Sequence, residues 1–156
     1  MGRTKCYAPG SIIVRRDPVT PEEIACVKAT WTKLIPIAEQ AASLFYSRLF
    51  ETHPEVKPLF KGDLAEQGRR IMGMIHSTVM RLDDLGPLEP TLRASGARHM
   101  GYGVKDGDYD KMAEALLWTL ERVLGEDFTP EVRSAWVSVY GYLAATMLAG
   151  VVSGAK

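Results

Sequence analysis

The chain holds three histidines, His53, His76 and His99, and two cysteines, Cys6 and Cys26, the side chains best suited to ligating a metal or exchanging a proton near neutral pH. The cysteines form neither a disulfide framework nor a metal motif of local spacing; packing accounts for Cys26 and solvation for Cys6. The histidines differ in setting. His53 stands before Pro54, where a helix must end, and a capping or exposed role suffices for it. His76 follows Gln67 by nine residues, which is about 180° around a helix, so it points away from whatever Gln67 faces. His99 continues an inward stripe of Leu88, Leu92, Ser95 and Gly96 beside the glycine-rich exit at Gly101 and Gly103. An imidazole so placed is either a ligand or a hydrogen-bonded core residue, and position alone leaves both open.

These residues need helices to carry them. Thr20-Pro21-Glu22-Glu23 combines an N-cap threonine, a proline at the first helical position and a glutamate three residues after the cap, predicting a helix start. Ile24, Val27, Trp31, Leu34 and Ile35 then recur on one face. Pro36 predicts the opening of a second helix, with Ala41, Leu44, Phe45, Leu49 and Phe50, ending before His53-Pro54. A helical turn from Pro54 to Phe60 follows. From Leu64 to Leu82, a narrow arc holds Gln67, Ile71, Met74, Ile75, Thr78 and Leu82. Asp83-Asp84-Leu85-Gly86-Pro87 breaks that pattern, and Leu88 to His99 reads as another helix, with Pro90 tolerated in its first turn. Helices from about Asp108 to Leu124 and from Thr129 to about Ala149 complete an all-α domain of about seven helices. Only Ser11-Ile12-Ile13-Val14 is strand-like.

Length and composition set the limits. A chain of 156 residues supports one core of ordinary size and has no room for a second catalytic domain. Its apolar fraction of 46% and charged fraction of 24% are those of a soluble globular protein. A formal net charge of zero offers no electrostatic footprint for nucleic acid or an anionic membrane. No apolar run reaches the length of about eighteen residues that a membrane span requires. Residues 1–19 read as a flexible extension lacking a secretory signal, 20–150 as the folded domain and 151–156 as a tail, which predicts a cytoplasmic protein.

Over residues 20 to 150 the ordered set of positions resembles the globin family. The matching features are Trp31 on the first helix, Leu44-Phe45-Tyr46 on the second, Pro54 and Phe60 in the next turn, Gln67 seven residues later, His99 thirty-two after that, and Val104 five beyond. Leu116-Leu117, Leu124-Gly125, Phe128-Thr129-Pro130, Ala135-Trp136 and Tyr140-Gly141 are similar to the neuroglobin-like and bacterial single-domain branches. No one of these motifs is specific; their order is.

The resemblance implies a globin fold around one haem b, with His99 as the proximal ligand of the iron. It implies that Phe60 stacks on the porphyrin, that Val104, Ile71 and Phe45 line it, and that Arg70 pairs with a propionate; core packing is the alternative for the apolar residues and a solvated guanidinium for Arg70. Tyr46 and Gln67 match a distal pair able to donate hydrogen bonds to a bound diatomic gas, the alternatives being a core tyrosine and a surface glutamine. Two departures stand out. Tyr109 fits the tyrosine of the proximal network of bacterial flavohaemoglobins, but Ser138 occupies its glutamate position, and Ser95 stands where leucine is usual under the haem.

Three functions follow as expectations. The first is reversible binding of dioxygen, nitric oxide or carbon monoxide for storage, scavenging or sensing. The second is nitric oxide dioxygenation, which needs a separate reductase because the chain has no room for one. The third is a haem-free helical interaction module.

Overall fold

The computed structural model describes residues 19–101 and 106–154, with the side chains of 19–84, 86–98 and 107–149. The side chain of His99, all of Val104 and Gly103, and the segment holding Cys6 and Ser11-Ile12-Ile13-Val14 lie outside the described residues. Among those described there are six α-helices, three short 3-10 segments and no strand, which is the all-α architecture expected from the hydrophobic periodicity.

Helix α1, Pro21–Leu34, starts at the predicted capping box: the Glu23 amide donates to Thr20 Oγ1 at 3.1 Å and the Thr20 amide to Glu23 Oε1 at 3.0 Å. Its buried face is Ile24, Val27, Trp31 and Leu34, while Ile35 is exposed. Pro36 does not open the second helix as expected. It lies in a 3-10 turn, Ile35–Ile37, and α2 spans Ala38–Thr52, because Ile37 leaves the helical region at φ −121° and resets the chain direction. Pro54 ends α2 by holding His53 out of the helical region, at φ −138° and ψ 70°, and a 3-10 segment, Pro54–Leu59, follows.

Helix α3, Leu64–Met80, begins at Asp63, whose carboxylate accepts the Ala65 amide at 3.1 Å. Helix α4, Leu85–Gly101, starts three residues earlier than the sequence predicts. Gly86 and Pro87 fall in its first turn, where a missing N–H costs no helical hydrogen bond, so the apparent breaker begins the helix. Pro90 consequently sits in the second turn, with its ring exposed. Helix α5 is Asp106–Leu124, and α6, Pro130–Gly154, continues past Ala149. Between them Gly125 adopts φ +59°, the left-handed geometry that closes α5.

The largest core cluster joins α1, α3, α5 and α6 around Trp31 and Trp136. Both indole N–H groups are satisfied: Trp136 Nε1 donates to Thr30 Oγ1 at 2.9 Å and Trp31 Nε1 to His76 Nδ1 at 3.0 Å. His76 therefore faces α1, on the side of α3 away from Gln67, and acts as a packing partner. Cys26 packs against the same cluster, and burial, with the Glu131 carboxylate second, pushes its thiol up. A second cluster lies between α2, the 3-10 segment after it, and α5, and α4 rests chiefly on α6.

Candidate functional site

The second cluster is built on consecutive residues of α2. Phe45 and Leu49 lie one turn apart and Tyr46 and Phe50 one turn apart, so two adjacent rows of large side chains meet α5 and the Pro54–Leu59 segment. Leu49 is fully buried, worth about 1.5–3 kcal/mol of apolar transfer. Tyr46 is held by three phenylalanine rings. Phe45 and Phe60 meet it edge-on, at centroid distances of 5.5 and 5.4 Å, and Phe50 stacks on it at 5.8 Å.

The Tyr46 hydroxyl is buried and has no hydrogen-bond partner. A phenol normally reaches its interior position only with a partner, since an unpaired buried hydroxyl costs about 1–3 kcal/mol. Burial also pushes its pKa up to about 12, so it remains a protonated donor across the physiological range. The cluster thus presents one aimed, unspent O–H among aromatic rings.

Helix α3 reaches the Tyr46 ring because of Gly68. A Cβ there would lie 3.1 Å from Ala42 Cβ and 3.6 Å from Tyr46 Cε2, so glycine lets the two helices cross beside the tyrosine ring. Ile71, three residues on, packs into the same cluster. Beyond it the apolar arc is poorly covered: Ile71 and Ile75 are half-buried and Met74 is 53% exposed. This strip begins next to Tyr46.

Among the predicted site residues, Phe45, Tyr46, Phe60 and Ile71 come together. Gln67 sits half-buried at the near end of α3, with its Nε2 donating to the Lys61 carbonyl. Gly62, at φ +88°, turns the chain so that this carbonyl and the carboxamide meet. Arg70 lies on the solvent side, paired with Glu66 one turn earlier at 3.0 Å. Tyr109 belongs to a third cluster, with Ala113 and Ala144, where its carbonyl accepts the Tyr140 hydroxyl at 2.8 Å. Burial, then the neighbouring Tyr109 and Asp110, pushes the Tyr140 phenol well above its ordinary value. Ser138 donates to Glu23 Oε2 at 2.8 Å, so it ties α6 to the start of α1. His99 lies near the end of α4, three residues after the buried pair Ser95 and Gly96.

Two contributors were not singled out from sequence. Phe50 follows Tyr46 by four residues, a spacing that brings two helical rings into contact. Gly68 is a mid-helix glycine next to Gln67, and such a glycine signals close approach of another element.

A family model described as Globin matches residues 43–147, which covers α2 through most of α6. The chain is 30% identical to the neuroglobin of Tetraodon nigroviridis, across 86% of this chain and 93% of that protein. The neuroglobins of Chaenocephalus aceratus and Dissostichus mawsoni are each 29% identical over the same shares. Among the described residues no helix is long and apolar enough to cross a membrane. With six helices in this order and a match across two-thirds of its length, the chain belongs to the globin family, the all-α haem proteins that bind small gases.

Proposed function

We propose that the protein holds haem b against the uncovered apolar arc of α3 and reversibly binds dioxygen, with nitric oxide and carbon monoxide as further ligands, on the side where Tyr46 lies. The residues fit that group in two respects. Met74 is exposed and Ile71, on the same arc, only half-buried, and the Tyr46 hydroxyl is a buried donor with no acceptor. Haem supplies an open metal position at which a diatomic gas binds and becomes polarised.

The chain's own residues do the rest. Phe45, Phe50 and Phe60 fix the Tyr46 ring in one orientation and keep water from its hydroxyl. Neutral at physiological pH and without another acceptor, the phenol donates to the negative end of a polarised ligand and thereby slows its release. Gln67 is the second donor when its carboxamide turns from the Lys61 carbonyl; Lys61 is exposed, so water replaces the lost contact. His99, near the end of α4, would be the residue that holds the iron. Ile71 excludes water beside the gas.

The unpartnered Tyr46 hydroxyl carries this reading, because gas binding is what gives it an acceptor. The test is a set of ferric, ferrous and oxygenated visible spectra of protein produced with haem available. The expected result is a Soret band with a stable oxygenated form, and loss of stable haem retention in His99→Ala. Absence of a Soret band, or His99→Ala spectra identical to the parent, contradicts it.

A further inference from the structure

The helix that carries His99 is seated by its backbone. Leu88, Leu92, Ser95 and Gly96 form the buried stripe of α4, and α6 is the helix that α4 chiefly meets among the described residues. At Gly96 the approach is closest. A Cβ there would overlap the Met147 carbonyl oxygen and lie 2.6 Å from its carbonyl carbon and 2.8 Å from its Cα. These are backbone atoms within α6, so no rotamer change can clear them. Ordinary contacts need about 3.5 Å, so any side chain at 96 must part the helices by about 1–1.5 Å. Glycine is otherwise the poorest helix former after proline. Gly86, on the same helix, has open space where its Cβ would be.

We propose that Gly96 is a positioning residue for the axial ligand: it admits the α6 backbone and so fixes how deeply α4 sits. The His99 backbone follows three residues later, about 4.5 Å along the helix axis, too near for the shift to be absorbed before it. A rigid helix transmits that shift, and metal centres respond to ligand displacements of this size. Gly96 would thereby set where the His99 backbone is held relative to the haem. The inference rests on the haem reading above.

The test is the iron–histidine stretching band of the ferrous, gas-free protein, read by resonance Raman spectroscopy, together with the rate of haem loss. Gly96→Ala is expected to shift the band and change haem loss about tenfold, the effect of one overpacked methyl group. Gly86→Ala is expected to move neither. With His99→Gly and imidazole supplied in solution, the axial base is no longer carried by α4, and adding Gly96→Ala should then leave the iron–imidazole band unmoved. Leu92→Phe enlarges the same buried stripe of α4 one turn before Gly96; it should shift the His99 band as well, and decides the matter if Gly96→Ala does not fold. An unshifted band in the folded variant overturns the proposal, as does a shift that persists with free imidazole. A parent protein without an iron–histidine band overturns the haem reading itself, before any variant is made.

Discussion

At Gly68 helix α3 approaches side-chain atoms of α2, whereas at Gly96 helix α4 approaches the backbone of α6. Beside the first contact, Phe45, Tyr46 and Phe50 of α2 interlock with Phe60, and the glycine of α3 at the crossing, Gly68, leaves a hypothetical Cβ at 3.1 Å from the Ala42 methyl group. At the second, Gly96 leaves no room, and the obstacle is main chain. A side-chain contact adjusts by small rotamer changes; a backbone contact moves only with its helix. One side of the site is therefore specified by the chemistry of what projects into it, and the other by where a helix is held. Substitutions should respond in opposite senses: the α2–α3 side is vulnerable to shrinkage and the α4–α6 side to growth.

The largest effect is expected from shrinking the ring cluster. Phe45→Ala should destabilise the protein by about 3–5 kcal/mol, measured by denaturant unfolding. A cost below that of an ordinary surface change would mean that the rings do not hold α2 as described, and the comparison would break.

Removing only the hydroxyl probes the same side more gently. Burial raises the Tyr46 phenol from 10 to about 12, so between those values the unfolded chain releases a proton that the folded chain retains. Stability therefore falls as pH rises through that window, and is unaffected by this group below it. Tyr46→Phe should remove up to ~1.4 kcal/mol per pH unit of that alkaline slope, seen as shallower loss of stability between pH 10 and pH 12. An unchanged slope would place the phenol in contact with solvent.

The smallest effect separates crowded glycines from free ones. Gly73 on α3 has nothing within 4 Å of a hypothetical Cβ. Gly73→Ala should stabilise the protein by about 0.5–1 kcal/mol through backbone entropy, measured as a rise in the denaturation midpoint. Destabilisation there would show that α3 is packed more closely than its exposure indicates.

Much of this was legible in the residue order. The Thr20–Glu23 box, the Pro54 stop and the α3 arc each have a local cause, and each element formed where that cause lies. The start of α4 was misjudged because Gly86 and Pro87 break a helix in its interior but are tolerated in its first turn. The start of α2 moved from Pro36 to Ala38 for another reason, the departure of Ile37 from the helical region, which no residue type there signals. In the site, the aromatic wall followed from spacing along α2, whereas the outward pairing of Arg70 with Glu66 and the Ser138–Glu23 bond depend on rotamers and on long-range placement. The role of Gly96 depends on the path of α6, which no pattern within α4 encodes.

The central claim is that the Tyr46 hydroxyl is held ready for a bound gas. Stopped-flow measurement of dioxygen release from the parent and Tyr46→Phe proteins tests it most directly. Loss of one charge-assisted hydrogen bond of about 1.5–3 kcal/mol predicts release roughly 10- to 100-fold faster in the variant. Equal release rates in a variant that retains haem would contradict the account.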